Sequence, residues 1–154
     1  MDLILWRHAE ARDAEAGGTD LDRELTPRGH KQAAKMAAWL DRHLPDSSRI
    51  LASPSRRTEQ TVLALGRKYK VRAELGPDGS PAQVLELVQW PQSKATVVVV
   101  VGHQPVLGQI VAQLIGLKES DCAIKKGAVW WLRTRTRDEH PETVIVTVQN
   151  PDSV

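Results

Sequence analysis

Apolar positions along this chain recur with two different periods, and their alternation predicts the order of elements. Short alternating or unbroken runs stand at LILW (3–6), RILA (49–52), VRAE (71–74, the weakest), TVVVVV (96–101), AVWWLRT (128–134) and TVIVTVQ (143–149), and each reads as a strand. Between them the apolar residues take helical spacing: Ala33, Ala37, Leu40 and Leu44; then Val62 and Leu65; then Val84, Leu85 and Val88. A fourth such set is Val106, Leu107, Ile110, Val111, Leu114 and Ile115. Each helical segment opens on a polar residue followed by proline: Thr26-Pro27, Ser53-Pro54, Ser80-Pro81 and Gln104-Pro105. Proline suits the first helical position, where its missing N–H would have no partner, and a preceding Ser or Thr can cap the free amides. Gln104 is a poorer cap, so His103 is expected in that place. The first helix is expected to reach about Leu44, the second about Tyr69, and the fourth to stop at Gly116.

Strands alternating with helices predict an α/β fold: a three-layer α/β/α sandwich with a mostly parallel central sheet and an antiparallel edge hairpin. The hairpin is the last two runs, joined by the polar TRDEHPE; the continuous valines of 97–101 suit a central strand covered on both faces. No linker divides the chain, so residues 1–150 are expected to form one domain without a cap insertion, and 151–154 a loose tail. At 154 residues, such a domain can bury about two thirds of its unfolded surface. The composition, 41% hydrophobic and 26% charged, is that of a globular protein. A net charge of only +2 is too small by itself to argue for nucleic acid, and no nucleic-acid partner is expected. The single cysteine, Cys122, excludes an internal disulfide framework and a Cys-rich metal site. No secretory leader pattern and no apolar run of membrane length are present, so no membrane association and a cytoplasmic monomer are the expectations.

In open sheets of this kind, ligands bind beyond the carboxyl ends of the strands. Arg7 and His8 follow the first strand, Ser53 and Arg57 the second, and Gly102 and His103 the valine strand. Two guanidiniums, two imidazoles and nearby helix N-termini converging on one edge suit a compact dianion such as phosphate. No metal site and no cofactor are indicated: there is no HExxH and no acidic pair at ligand spacing. The phosphorus chemistry then needs a side-chain nucleophile. His8 is best placed, provided one ring nitrogen donates to a fixed acceptor and the arginines disfavour its imidazolium form. His103 would stabilise the oxygens of the transferring group.

RHAE after the first strand, LTPRGHKQA at the first helix, SPSRRTEQT at the second and VGHQP after the valine strand resemble the histidine phosphatase (phosphoglycerate mutase-like) superfamily. The match runs in the family's order from Leu3 to about Leu114; shortness and the missing cap make it most similar to SixA-type phosphohistidine phosphatases. The resemblance implies a metal-independent phosphatase with a covalent phosphohistidine on His8. Arg7, Arg57 (rather than Arg56) and His103 would be the remaining catalytic and phosphate-binding residues. It further implies phosphohistidine on a signalling protein as the substrate. Ala9 stands where many members carry glycine, which is tolerable unless φ is positive there. For a general acid the candidates are Asp78 and Glu10; the alternative, which the resemblance to SixA-type proteins favours, is that no strong acid is needed, since an imidazole leaving group is protonated far more readily than an alkoxide. A phosphomonoesterase acting on a small phosphorylated metabolite, and a catalytically silent phosphate-binding module, are the alternatives.

Other polar residues have simpler expectations. Ser53 and Thr26 cap helices, and Arg56 is solvated. His30, His43 and His140 lie on the surface. Trp130 and Trp131 face opposite sides of their strand. Arg133, Arg135 and Arg137 form a basic face on a solvated edge that deters strand pairing.

Overall fold

The computed structural model describes residues 1–154. Six strands, β1 (Asp2–Arg7), β2 (Arg49–Ala52), β3 (Lys70–Val71), β4 (Val97–Gly102), β5 (Val129–Arg137) and β6 (His140–Gln149), form one sheet in the order β3-β2-β4-β1-β5-β6. Strands β1, β2, β3 and β4 run parallel, while β5 pairs antiparallel with β1 and β6 with β5. Arg7 stands opposite Gly102, and Ala52 opposite Val101, so the carboxyl ends of three neighbouring strands fall at one edge. Main-chain pairing continues one step past them, from His8 N–H to Gly102 O (3.1 Å) and from Ser53 N–H to Val101 O (3.1 Å).

Alternation along the strands builds two cores. Ile4, Trp6, Ile50, Val99 and Val101 pack on one face against Met36, Ala37 and Leu40 of α1 (Pro27–His43) and Val62 of α2 (Arg56–Leu63). Leu3, Leu5, Leu51, Val98 and Val100 pack on the other against Val84 of α3 (Pro81–Leu87) and Val106, Leu107, Ile110 and Val111 of α4 (Val106–Ile115). The β4 valines are buried on both faces because helices cover both. The three-layer α/β/α architecture is therefore the one observed. Thr26 caps α1 through its side chain and Ser80 closes a capping box with Gln83, as the Ser/Thr-Pro starts predicted. Trp131 and Trp130 face the two different cores. No helix is long and apolar enough to cross a membrane.

Several expectations need correction. Helix α2 is capped by Ser55, not Ser53, and ends at Leu63, after which Gly66 at φ 70° redirects the chain well before Tyr69. At α4 the cap position is Pro105, which has no capping side chain; from one residue before it, Gln104 Oε1 accepts the free Gly108 N–H at 2.7 Å while its Nε2 donates to Cys122 O at 2.8 Å, so the His103 side chain is not a cap. The third strand is only two residues long, because the chain closes into a 3-10 turn at Ala73–Leu75. The polar 136–142 segment is mostly paired strand, the turn being confined to Asp138 and Glu139 at φ 50° and 67°. Of the β5 arginines, Arg133 lies between β1 and β6 and pairs with Asp2 (2.7 Å), whereas Arg135, paired with Glu142 (2.6 Å), and Arg137 extend past β1 on an exposed edge, as expected. The tail is also ordered: Pro151 is buried, and Ser153 N–H donates to Asn150 O at 2.9 Å.

Candidate active site

His8 is the first residue past β1, and its backbone is held on both sides: the N–H by Gly102 O, and the carbonyl by Gly127 N–H at 3.0 Å. Its ring Nδ1 lies 2.7 Å from Ala9 O. A carbonyl can only accept, so Nδ1 carries the proton and Nε2 keeps its lone pair, with no hydrogen bond of its own within the chain. The side chain is buried, and its pKa is pushed down to about 4. Loss of hydration is the main cause, opposed by the Ala9 hydrogen bond and reinforced by Arg57, Arg7 and Arg23. The arginines expected to keep this imidazole neutral do so only as the smaller effect.

The acceptor that fixes His8 is itself braced from α2. Ala9 N–H donates to Thr61 Oγ1 at 3.1 Å, and that hydroxyl donates to Arg57 O at 2.8 Å. Ala9 does not have positive φ, which explains why alanine is accommodated there.

Arg57 stands in the first turn of α2 with its side chain 4% exposed. Its Nη1 donates to Asp20 O (2.8 Å), and its Nη2 to Asp20 Oδ2 (3.0 Å) and to His103 Nδ1 (3.2 Å). Guanidinium nitrogens only donate, so His103 Nδ1 is the acceptor and its Nε2 bears the proton, which faces Ser53 Oγ at 2.7 Å. Burial, followed by Arg57 and His8, pushes the His103 pKa down to about 3. Arg7 donates through Nη1 to Ile124 O (2.7 Å), and burial lowers its pKa. The Nε atoms of Arg7 and Arg57 are buried without a hydrogen-bond partner. The two imidazoles lie 5.4 Å apart, centroid to centroid. Arg7, His8, Arg57 and His103 thus reach one sheet edge from three segments, joining two cations to two neutral rings. Such a set can bind an oxyanion and attack it.

Neither carboxylate named as an acid candidate hydrogen-bonds to Arg7, Arg57 or His103. Glu10 Oε2 accepts the Thr26 hydroxyl at 3.0 Å, in a depression shared with Arg28, Gln32 and two lysines. Asp78 lines a groove of about 700 Å³ with Asp20, Pro54, Glu74 and Gln83. Neither hydrogen-bonds to His8. No group of three or more His, Cys, Asp or Glu side chains is arranged to hold a metal ion. Three contributors were not foreseen. Thr61 lies in mid-helix and Ser53 resembled a cap. Asp20 belongs to a polar TDLDRE run whose hydropathy carries no signal.

Residues 3–78 fit the histidine phosphatase superfamily (branch 1). The chain is 32% identical over 121 residues to the phosphohistidine phosphatase SixA of Escherichia coli K12, covering 74% of each chain. It is 31% identical over 130 residues to a SixA homolog of Haemophilus influenzae, covering 75% of this chain and 78% of that one. Its backbone matches the protein histidine phosphatase SixA solved with tungstate at a TM-score of 0.76 and 27% identity, over 99% and 98% of the two chains. With the sequence motifs and the fold in agreement, this chain belongs to the histidine phosphatase superfamily and is a phosphatase.

Proposed function

We propose that the protein is a metal-independent phosphohistidine phosphatase that acts on a signalling protein through phospho-His8. The observation that carries this reading is the His8 ring: Nδ1–H is fixed on Ala9 O, burial keeps the imidazole neutral, and Nε2 retains its lone pair. In the first displacement Nε2 attacks phosphorus, and the electron pair of the scissile P–N bond goes to the departing imidazole nitrogen. In the second, water attacks the phosphorus of phospho-His8; the P–Nε2 pair returns to the ring and inorganic phosphate leaves. Arg7 and Arg57 supply positive charge to the phosphoryl oxygens in both steps.

His103 participates through Ser53. A phosphoryl oxygen arriving at Arg57 replaces the 3.2 Å contact between Arg57 Nη2 and His103 Nδ1. The Ser53 hydroxyl can accept from Nε2–H or donate to bare Nε2. A proton shift to Nδ1 therefore leaves Nε2 satisfied while Nδ1–H turns to the oxyanion. The substrate class is supported by the SixA relatives, described as phosphohistidine phosphatases. It is supported also by the hydrogen bonding of the His8 ring, whose partner is the Ala9 carbonyl rather than a carboxyl group.

Alkaline-quench labelling with a phosphohistidine substrate tests the reading. A base-stable, acid-labile phosphoenzyme that disappears in His8→Ala is expected; undiminished turnover by His8→Ala would overturn it. Hydrolysis of small phosphomonoesters is a second reading, favoured by Asp78, which shares a groove with Arg57's partner Asp20. Under that reading an aryl phosphate would be preferred to phosphohistidine, and Asp78→Asn would cripple its hydrolysis.

A further inference from the structure

The one carboxylate bound to the phosphate-binding cations is Asp20. Its Oδ2 accepts from Arg57 Nη2 at 3.0 Å, its Oδ1 from Arg23 Nη1 at 3.2 Å, and its backbone carbonyl from Arg57 Nη1 at 2.8 Å. Burial raises its pKa, but the hydrogen bonds from Arg23 and Arg57 outweigh that effect and the net shift is downward. Asp20 is therefore an anion at neutral pH and a poor proton donor. A protonated acid is what an alkoxide leaving group needs, and this site offers the reverse.

Its position decides what a fixed anion can do. His8 is buried, and in-line displacement sends the leaving group away from it, towards the more exposed side of the site. Asp20 has its side chain 54% exposed and lines an open groove while touching the buried Arg57, so it joins the cationic site to solvent. A carboxylate has about four lone-pair sites. The two cations engage two of them, so an acceptor direction remains for a substrate N–H.

We propose that Asp20 is the specificity-determining residue of this site: its carboxylate accepts a hydrogen bond from the ring N–H of a substrate phosphoimidazole and disfavours anionic leaving groups. The inference rests on the phosphohistidine reading above. The phosphorylated ring reacts with a proton on its other nitrogen. When the P–N bond breaks, its electron pair goes to the nitrogen that carried phosphorus, and the ring departs as neutral imidazole, still holding the proton that faced Asp20. No further proton donor takes part. Asp20 faces Arg57 from α2, Arg23 from its own loop, and, beyond Arg57, His103 and His8. Of the carboxylates along the groove, Glu74 is already paired with Arg72 at 2.8 Å.

The test compares kcat/KM for phosphoimidazole and for an aryl phosphate in the wild type, Asp20→Asn and Asp20→Glu as a function of pH. Asparagine keeps an oxygen for Arg57 but loses the charge. The ratio of phosphoimidazole to aryl phosphate activity is expected to fall roughly tenfold to a hundredfold in Asp20→Asn. The alkaline limb for phosphoimidazole is expected to move to lower pH, and Asp20→Glu to recover part of the ratio. Inhibition by inorganic phosphate, measured in each variant, reports whether Arg57 stays in place. An unchanged ratio overturns the proposal, including the case where both activities and phosphate binding fall together because Asp20 merely holds Arg57. A wild-type protein that hydrolyses the ester but not phosphoimidazole would instead overturn the underlying reading.

Discussion

Ser53 Oγ lies 2.7 Å from His103 Nε2, and both residues are buried. Arg57 Nη2, donating to Nδ1, sets which nitrogen of His103 carries the proton, and Ser53 gives the Nε2–H its partner. Ser53→Ala removes the partner and leaves a buried N–H with only the 3.5 Å contact to Ser55 Oγ. Unfolding free energy should fall by about 1–3 kcal/mol, read from the urea midpoint. On the proposal that His103 acts on the oxyanion in the transition state, kcat should fall more than KM rises.

Thr61 acts on His8 through Ala9. Thr61→Val keeps the shape but leaves the Ala9 N–H facing a methyl group in a buried site. A loss of about 1–3 kcal/mol in stability is expected. Phosphoenzyme formation should slow more than inorganic phosphate binding weakens, since the nucleophile loses its support while the arginines remain. Rapid-quench labelling alongside phosphate inhibition distinguishes the two.

Gly29, in the first turn of α1, packs directly against the backbone of Glu10. A Cβ at this position collides with the Glu10 carbonyl oxygen, a main-chain atom that cannot rotate away. Gly29→Ala should cost about 1–3 kcal/mol through overpacking, seen as a lower melting temperature. It should also reduce kcat, because Glu10 continues the loop that carries His8 and Ala9.

Both imidazoles are harder to protonate in the folded chain, at about 4 for His8 and about 3 for His103, than at the ordinary histidine value of 6.5. As pH falls below that ordinary value the unfolded chain takes up protons that the folded one refuses. Stability is therefore complete above it and declines as the folded values are approached. Each ring should account for about 2 kcal/mol lost between about pH 6.5 and 5, and urea melts at the two pH values check this. Substituting both rings by asparagine should flatten the dependence. Protonation of the His8 nucleophile should not limit the rate until the pH nears about 4.

The residues that bring the pocket together were legible because each follows a strand with an unmistakable apolar run, so placing the strands placed Arg7, His8 and His103. The location of Ser53 was equally legible, but its role was not. A Ser-Pro step marks a helix start, and only the three-dimensional chain shows that the helix begins after Ser55 while Ser53 turns to His103. Asp20 was invisible because its importance comes from a loop folding back onto α2, and neither period nor motif marks that contact. The outer hairpin was underestimated for a different reason. Residues 135–142 are exposed or half-exposed on both sides, so hydropathy alternation disappears although backbone pairing persists.

The alignment of Arg7 with Gly102 has a consequence for size. His8 and His103 each come one residue after that aligned pair, on adjacent parallel strands whose axes lie about 4.8 Å apart, and their rings stand 5.4 Å apart. The gauge of the pocket is thus inherited from the ladder of main-chain hydrogen bonds rather than chosen by the surrounding loops. Drift in those loops can change which molecule presents itself at the entrance, while the width open to the transferred group stays locked to a dimension common to every sheet.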